Sequence, residues 1–150
     1  MDPTANHLDV LDVAHSIQLS VAPVFLLSGL GVFLGVLTSR LGRIVDRARP
    51  LEDSLRSCQG DLADELRQRL AFLAQRARLI QAAITLSTVS ALLVAIVVAL
   101  LFASAFVRLN LSVAVAALFV ASMCSLVGAL ITFLLEVRIA IRTVRIGPRP

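Results

Sequence analysis

Side chains able to carry charge, bind metals or attack a bond stand in only a few places along these 150 residues. Near the amino terminus, His7, Asp9, Asp12 and His15 have the donor types of a metal site. The same carboxylates also favour a helix start through its dipole, the ligand set is incomplete, and no metal is assigned there. Arg40, Arg43 and Arg47 recur at helical spacing beside Asp46 and Arg49, which suits a membrane surface of anionic headgroups or an acidic partner, with Asp46 placed to pair with Arg43 and Arg49. Glu136 is the only acid after Glu65, and it follows directly on an apolar run. A carboxylate at that depth calls for a partner. The remaining candidates are hydroxyls: Ser20 and Ser28 with Gly31 and Gly35 on one helical face, and Ser122, Ser125 and Thr132 with Ala129 on another.

These residues do not amount to an active site. No Asp, Glu, His, Lys or Arg lies in 17–37, 82–107 or 111–135, so there is no base beside a nucleophile and no carboxylate pair in an apolar cleft. The expectation is a non-enzymatic protein with no catalytic residues and no cofactor. A proton-coupled transporter is also disfavoured, because it usually carries an ionisable group near the bilayer midplane.

The elements that position these residues are membrane helices. The chain is 58% hydrophobic with a mean hydropathy of +0.90, and each uncharged run exceeds the ~20 residues that span a hydrocarbon core. The expected fold class is all-α and integral to the membrane. An external polar tail covers 1–16, spans follow at 17–37, 80–107 and 111–135, an external turn occupies 108–110, and a basic cytoplasmic tail covers 136–150. Between the first two spans, 38–79 reads as an amphipathic helical hairpin. Leu55, Cys58, Leu62, Leu66, Leu70, Leu73, Ala77 and Ile80 repeat at close to 3.6 residues. Pro50 should kink or restart the first arm, and Gly60-Asp61 marks the turn, with Gly ending one helix and Asp capping the next.

All fourteen basic residues other than histidine are arginines. None precedes the first span, nine separate the first from the second, one lies in the short turn, and four follow the third. The positive-inside rule then places the amino terminus outside, in the periplasm if this is a Gram-negative bacterium, and the hairpin and carboxyl terminus in the cytoplasm. The basic balance implies anionic lipid rather than nucleic acid, since no basic face is interleaved with aromatics and Tyr and Trp are absent.

The short 108–110 connection makes the second and third spans antiparallel neighbours. With the turn pivoting at Leu109, Glu136 stands level with Ala82, and Arg78 lies one turn below, beside Gln81 and Thr85. The expected ion pair is Arg78 with Glu136. The small-residue faces, with the Gly31-xxx-Gly35 pair, are expected to pack helices within the protomer, with a dimer motif as the alternative.

The segments from Ala22-Pro23-Val24-Phe25 to Ser28-Gly29 and from Ser39-Arg40-Leu41-Gly42-Arg43 to Asp46-Arg47-Ala48-Arg49 resemble the bacterial family called domain of unknown function 2721, small three-span membrane proteins. The resemblance implies fold and location and carries no activity and no functional residues. The functional expectation is helix–helix interaction, as a homo-oligomer or an accessory subunit of a membrane complex. The alternative is a homo-oligomeric, anion-biased channel lined by hydroxyls and rings of arginine.

Overall fold

The computed structural model describes the backbone of residues 3–106 and 112–144 and the side chains of 21–103 and 112–141. Apart from one turn, the described chain is helical: α1 is Pro3–Ser57, α2 is Asp61–Phe106 and α3 is Ser112–Val144. Each helix contains a segment long and apolar enough to cross a membrane, Val21–Ser57, Asp61–Ala103 and Ser112–Ile141. The protein is therefore an all-helical, multi-pass membrane protein. The 108–110 turn and the side chains of 1–16, Ser20, Arg142 and Arg145 lie outside the described residues.

The helices are longer than their apolar runs. The 55 residues of α1 extend about 80 Å at 1.5 Å per residue, against a hydrocarbon core of about 30 Å. The restart expected at Pro50 does not occur, because α1 continues unbroken to Ser57. A proline deletes one helical hydrogen bond, that to the carbonyl four residues back, and the residue involved here, Asp46, is exposed. Beyond it Ser54 Oγ donates to the Pro50 carbonyl at 2.9 Å, and Leu51 and Leu55 are half-buried, so the last turns are held by packing.

Burial follows a seven-residue period. On α1 the buried positions are Pro23, Leu30, Leu37 and Ile44; on α2 they alternate by three and four through Ile80, Ala83, Ser87, Ser90, Val94 and Val97; on α3 they are Ser122, Ala129 and Glu136. Spacing of 3.5 residues is the signature of helices whose side chains interlock along a continuous seam. It also corrects the expected arm stripe at one position: Leu62 is 55% exposed and Ala63 is buried in its place.

The chain forms two compact units, the first comprising Met1–Phe33 with Ser87–Leu126 and the second Leu34–Leu86 with Val127–Pro150. In the first, Ser90 Oγ donates to the Ser122 carbonyl at 3.0 Å and Ser122 Oγ to the Ser90 carbonyl at 3.2 Å, each hydroxyl reaching the other helix. The neighbouring Ser87 hydroxyl is buried without a hydrogen-bond partner among the described residues. In the second, Gly128 on α3 faces α2, and a Cβ there would stand 3.4 Å from Leu86 Cδ1, in van der Waals contact.

The turn between α1 and α2 lies where Gly60-Asp61 predicts it, with the roles of the two residues changed. Gly60 has φ +76°, and its carbonyl accepts the Ala63 N–H at 2.9 Å, so Gly60 itself caps α2 and Asp61 is the first helical residue. Only glycine adopts that φ without strain. Gly60→Ala is expected to destabilise the protein by about 1 kcal/mol. Gly42→Ala, on an open helical face, should be neutral or stabilise by up to about 1 kcal/mol. Thermal unfolding in detergent, followed by circular dichroism, measures both; equal effects would contradict the turn geometry.

Candidate functional site: a buried carboxylate shared by two arginines

Glu136 is fully buried, and its two oxygens are divided between two helices. Arg40, from α1, donates Nη1–H to Oε2 at 2.8 Å. Arg76, from α2, donates to Oε1 through Nε at 3.0 Å and Nη2 at 2.6 Å. The Arg40 guanidinium also lies 5.0 Å from the ring centre of Phe133, one helical turn before Glu136. Stacking on an aromatic face suits a planar, weakly hydrated cation. The second unit thus draws one charged group from each of its three helical segments into a single hydrogen-bonded triad.

The expected pair of Glu136 with Arg78 is not formed. Arg78 is exposed, as are Gln81 and Thr85 along the same stripe, and no salt bridge joins Arg78 to Glu136 among the described residues. Arg76 and Arg78 stand two positions apart, about 200° around a helix, so only one of them can face α3. The depth differs as well: the α2 residue that meets Glu136, Arg76, lies six positions before Ala82. The overlooked signal is the heptad itself. Glu136 continues Ser122 and Ala129 at intervals of seven, and Arg76 stands four residues before the buried Ile80, on the inward side of α2.

The other candidate residues divide by face. Ser122 and Ala129 are buried between helices, and Ser125 and Thr132 are half-buried. Ser28, Gly31 and Gly35 are exposed, and a Cβ at either glycine would meet nothing within 4 Å, so among the described residues nothing packs on this face of α1. Hydroxyls on outward faces are satisfied by their own helices: Ser28 donates to the Val24 carbonyl at 3.3 Å, Thr38 to Leu34 at 2.9 Å and Thr85 to Gln81 at 3.0 Å. Asp46 pairs with neither Arg43 nor Arg49 among the described residues. The ion pairs on the arm are local ones, Arg67 with Asp64 and Arg69 with Glu65.

Two cavities border the triad and the arms. A cavity of about 200 Å³ is bounded by Arg40, Arg43, Ile44, Arg47, Arg76 and Ala140. A larger, open groove of about 470 Å³ runs between α1 and α2 over Ile44, Val45, Ala48, Leu70, Leu73 and Ala77, with Arg49 and Glu52 on its edge. Among the described residues no three His, Cys, Asp or Glu side chains gather as a metal site; His7, Asp9, Asp12 and His15 are outside them.

Three long apolar helices with a charged triad between them define a small multi-pass membrane protein. The family described as "Protein of unknown function (DUF2721)" matches residues 20–146, most of the chain, and the protein belongs to it. No curated protein matches the chain. No solved structure matches it.

Removing one member of a buried charge triad leaves the others uncompensated, at a cost of about 3 kcal/mol where the partners are partly exposed, as Arg40 and Arg76 are. A double-mutant cycle of Arg76→Gln with Glu136→Gln should give a coupling of 1 kcal/mol or more, on the order expected for contacting residues. The cycle of Arg78→Gln with Glu136→Gln should be additive within about 0.5 kcal/mol. Coupling in the second cycle and none in the first would reverse the assignment.

Proposed function

We propose that the protein acts without catalysis, through helix–helix association in a bacterial inner membrane, as a homo-oligomer or an accessory subunit. Its amino terminus and the 108–110 turn face outside, and the arms around Gly60 form a cytoplasmic hairpin. The arginine distribution supports this orientation, with nine arginines between the first two spans and four after the third.

The observation that carries the association reading is the apolar groove between the arms. Its floor of Ile44, Val45, Leu70 and Leu73 lies outside the uncharged runs, so in the proposed orientation it faces water rather than lipid. Uncovered apolar surface in water costs about 25 cal/mol per Å² and is relieved by a partner helix. The partner we assign is a second copy. Arg49 and Glu52, one turn apart on the groove edge, carry opposite charges, and a two-fold axis would set each against its counterpart's opposite. In the first unit, the exposed Ser28 and Gly31 separately offer a small-residue face for helix contact within the membrane.

The paired substitution Val45→Asp with Ala74→Glu, at two exposed groove positions, should convert an oligomer to a monomer by light scattering in detergent. Gln75→Glu, off the groove, should leave it unchanged. A wild-type monomer, or an oligomer indifferent to the groove, would defeat the reading. In liposomes, salt efflux should stay at the rate of empty vesicles; efflux above it would favour the hydroxyl-lined channel.

A cysteine-accessibility scan in a background lacking Cys58 and Cys124 tests the orientation. Position 109 should label from outside and position 60 only from the cytoplasm. The opposite pattern would invert the topology.

A further inference from the structure

We infer that the cavity bounded by Arg40, Arg43, Arg47 and Arg76 binds a phosphate group, that of an anionic lipid at the membrane surface. The charges around it do not balance. Glu136 is the only carboxylate engaged by these arginines among the described residues, and it is held by Arg40 and Arg76. Arg43 and Arg47 form no salt bridge among the described residues and stand at the cavity with four guanidinium groups against one acid. Guanidinium forks match a phosphate in shape and charge, donating two parallel hydrogen bonds, and with no lysine in the chain every basic group here has that geometry.

Depth selects the source of the phosphate. Arg40 lies three residues beyond the uncharged 17–37 run, Arg76 six residues before the 82–107 run and Ala140 five residues beyond the 111–135 run. At 1.5 Å per residue these positions stand about 5–9 Å outside the hydrocarbon boundary, the layer that headgroups occupy. The cavity of about 200 Å³ accommodates a phosphate, and Ile44 and Ala140 give it an apolar wall suited to the lipid's glycerol and first methylenes. Arg40 and Arg76 are already oriented by Glu136, so less side-chain entropy is lost when an anion is bound. The inference rests on the membrane reading and is independent of whether the protein associates.

The test uses the full-length protein in a neutral detergent at fixed ionic strength, titrated separately with phosphatidylglycerol, phosphatidylcholine and inorganic phosphate. Binding is read as a shift in Tm and as lipid retained in native mass spectrometry. Arg43→Gln with Arg47→Gln spares the Glu136 triad. Arg56→Gln with Arg78→Gln removes the same charge at exposed sites away from the cavity. Phosphatidylglycerol should bind the wild type and the second variant alike and the first at least tenfold more weakly, with phosphatidylcholine inert. Undiminished binding to the first variant, or equal loss in both, would overturn the site. A response to inorganic phosphate and none to phosphatidylglycerol would overturn the lipid assignment and place the phosphate in solution.

Discussion

A carboxylate with no exposed surface, set just past the apolar run of its helix, constrains everything packed around it. Glu136 can occupy that position only with cationic donors on its oxygens, and the donors come from two other helices, Arg40 on α1 and Arg76 on α2. The consequence is positional. Sliding either helix by one heptad would leave its apolar seam nearly intact yet draw its guanidinium about 10 Å from the carboxylate. The triad therefore selects one depth and one azimuth for the second unit where hydrophobic packing alone would tolerate several.

Lipid-facing helices gain little from apolar burial, because the tails around them are as apolar as leucine. Packing and hydrogen bonds then decide which faces meet. The first unit meets at Ser90 and Ser122, whose hydroxyls each bond the opposite helix's carbonyl. Outward hydroxyls at Ser28, Thr38 and Thr85 are instead closed onto their own backbones, which lets them face lipid without an unmade hydrogen bond. The same residue types thus serve opposite surfaces, and only geometry tells them apart.

Arginine carries several roles at once. Arg40 stacks on Phe133, holds Glu136 and forms part of the basic cavity. Arg43 and Arg47, three and seven residues on, stay exposed and border that cavity. Charge at the end of a span thereby contributes both to internal packing and to a basic surface, and a planar guanidinium suits both because it can stack on a ring while its N–H groups donate in a fixed fork.

Three long apolar helices, the membrane class, the family and the turn at Gly60 were legible in the sequence, because uncharged length, hydropathy and a glycine stop are local properties of the chain. The need of Glu136 for a basic partner was legible as well, since an acid beside an apolar run has few alternatives. What tertiary structure decided was facing. Arg76 rather than Arg78, Arg40 drawn inward from a row of surface arginines, Ala63 in place of Leu62, and Gly31 and Gly35 turned outward all depend on the azimuth at which helices meet. Amphipathic contrast reveals that azimuth in water, but in a span apolar on every side nearly all faces look alike, so it is set by which helix approaches and where the buried Glu136 carboxylate finds its cations.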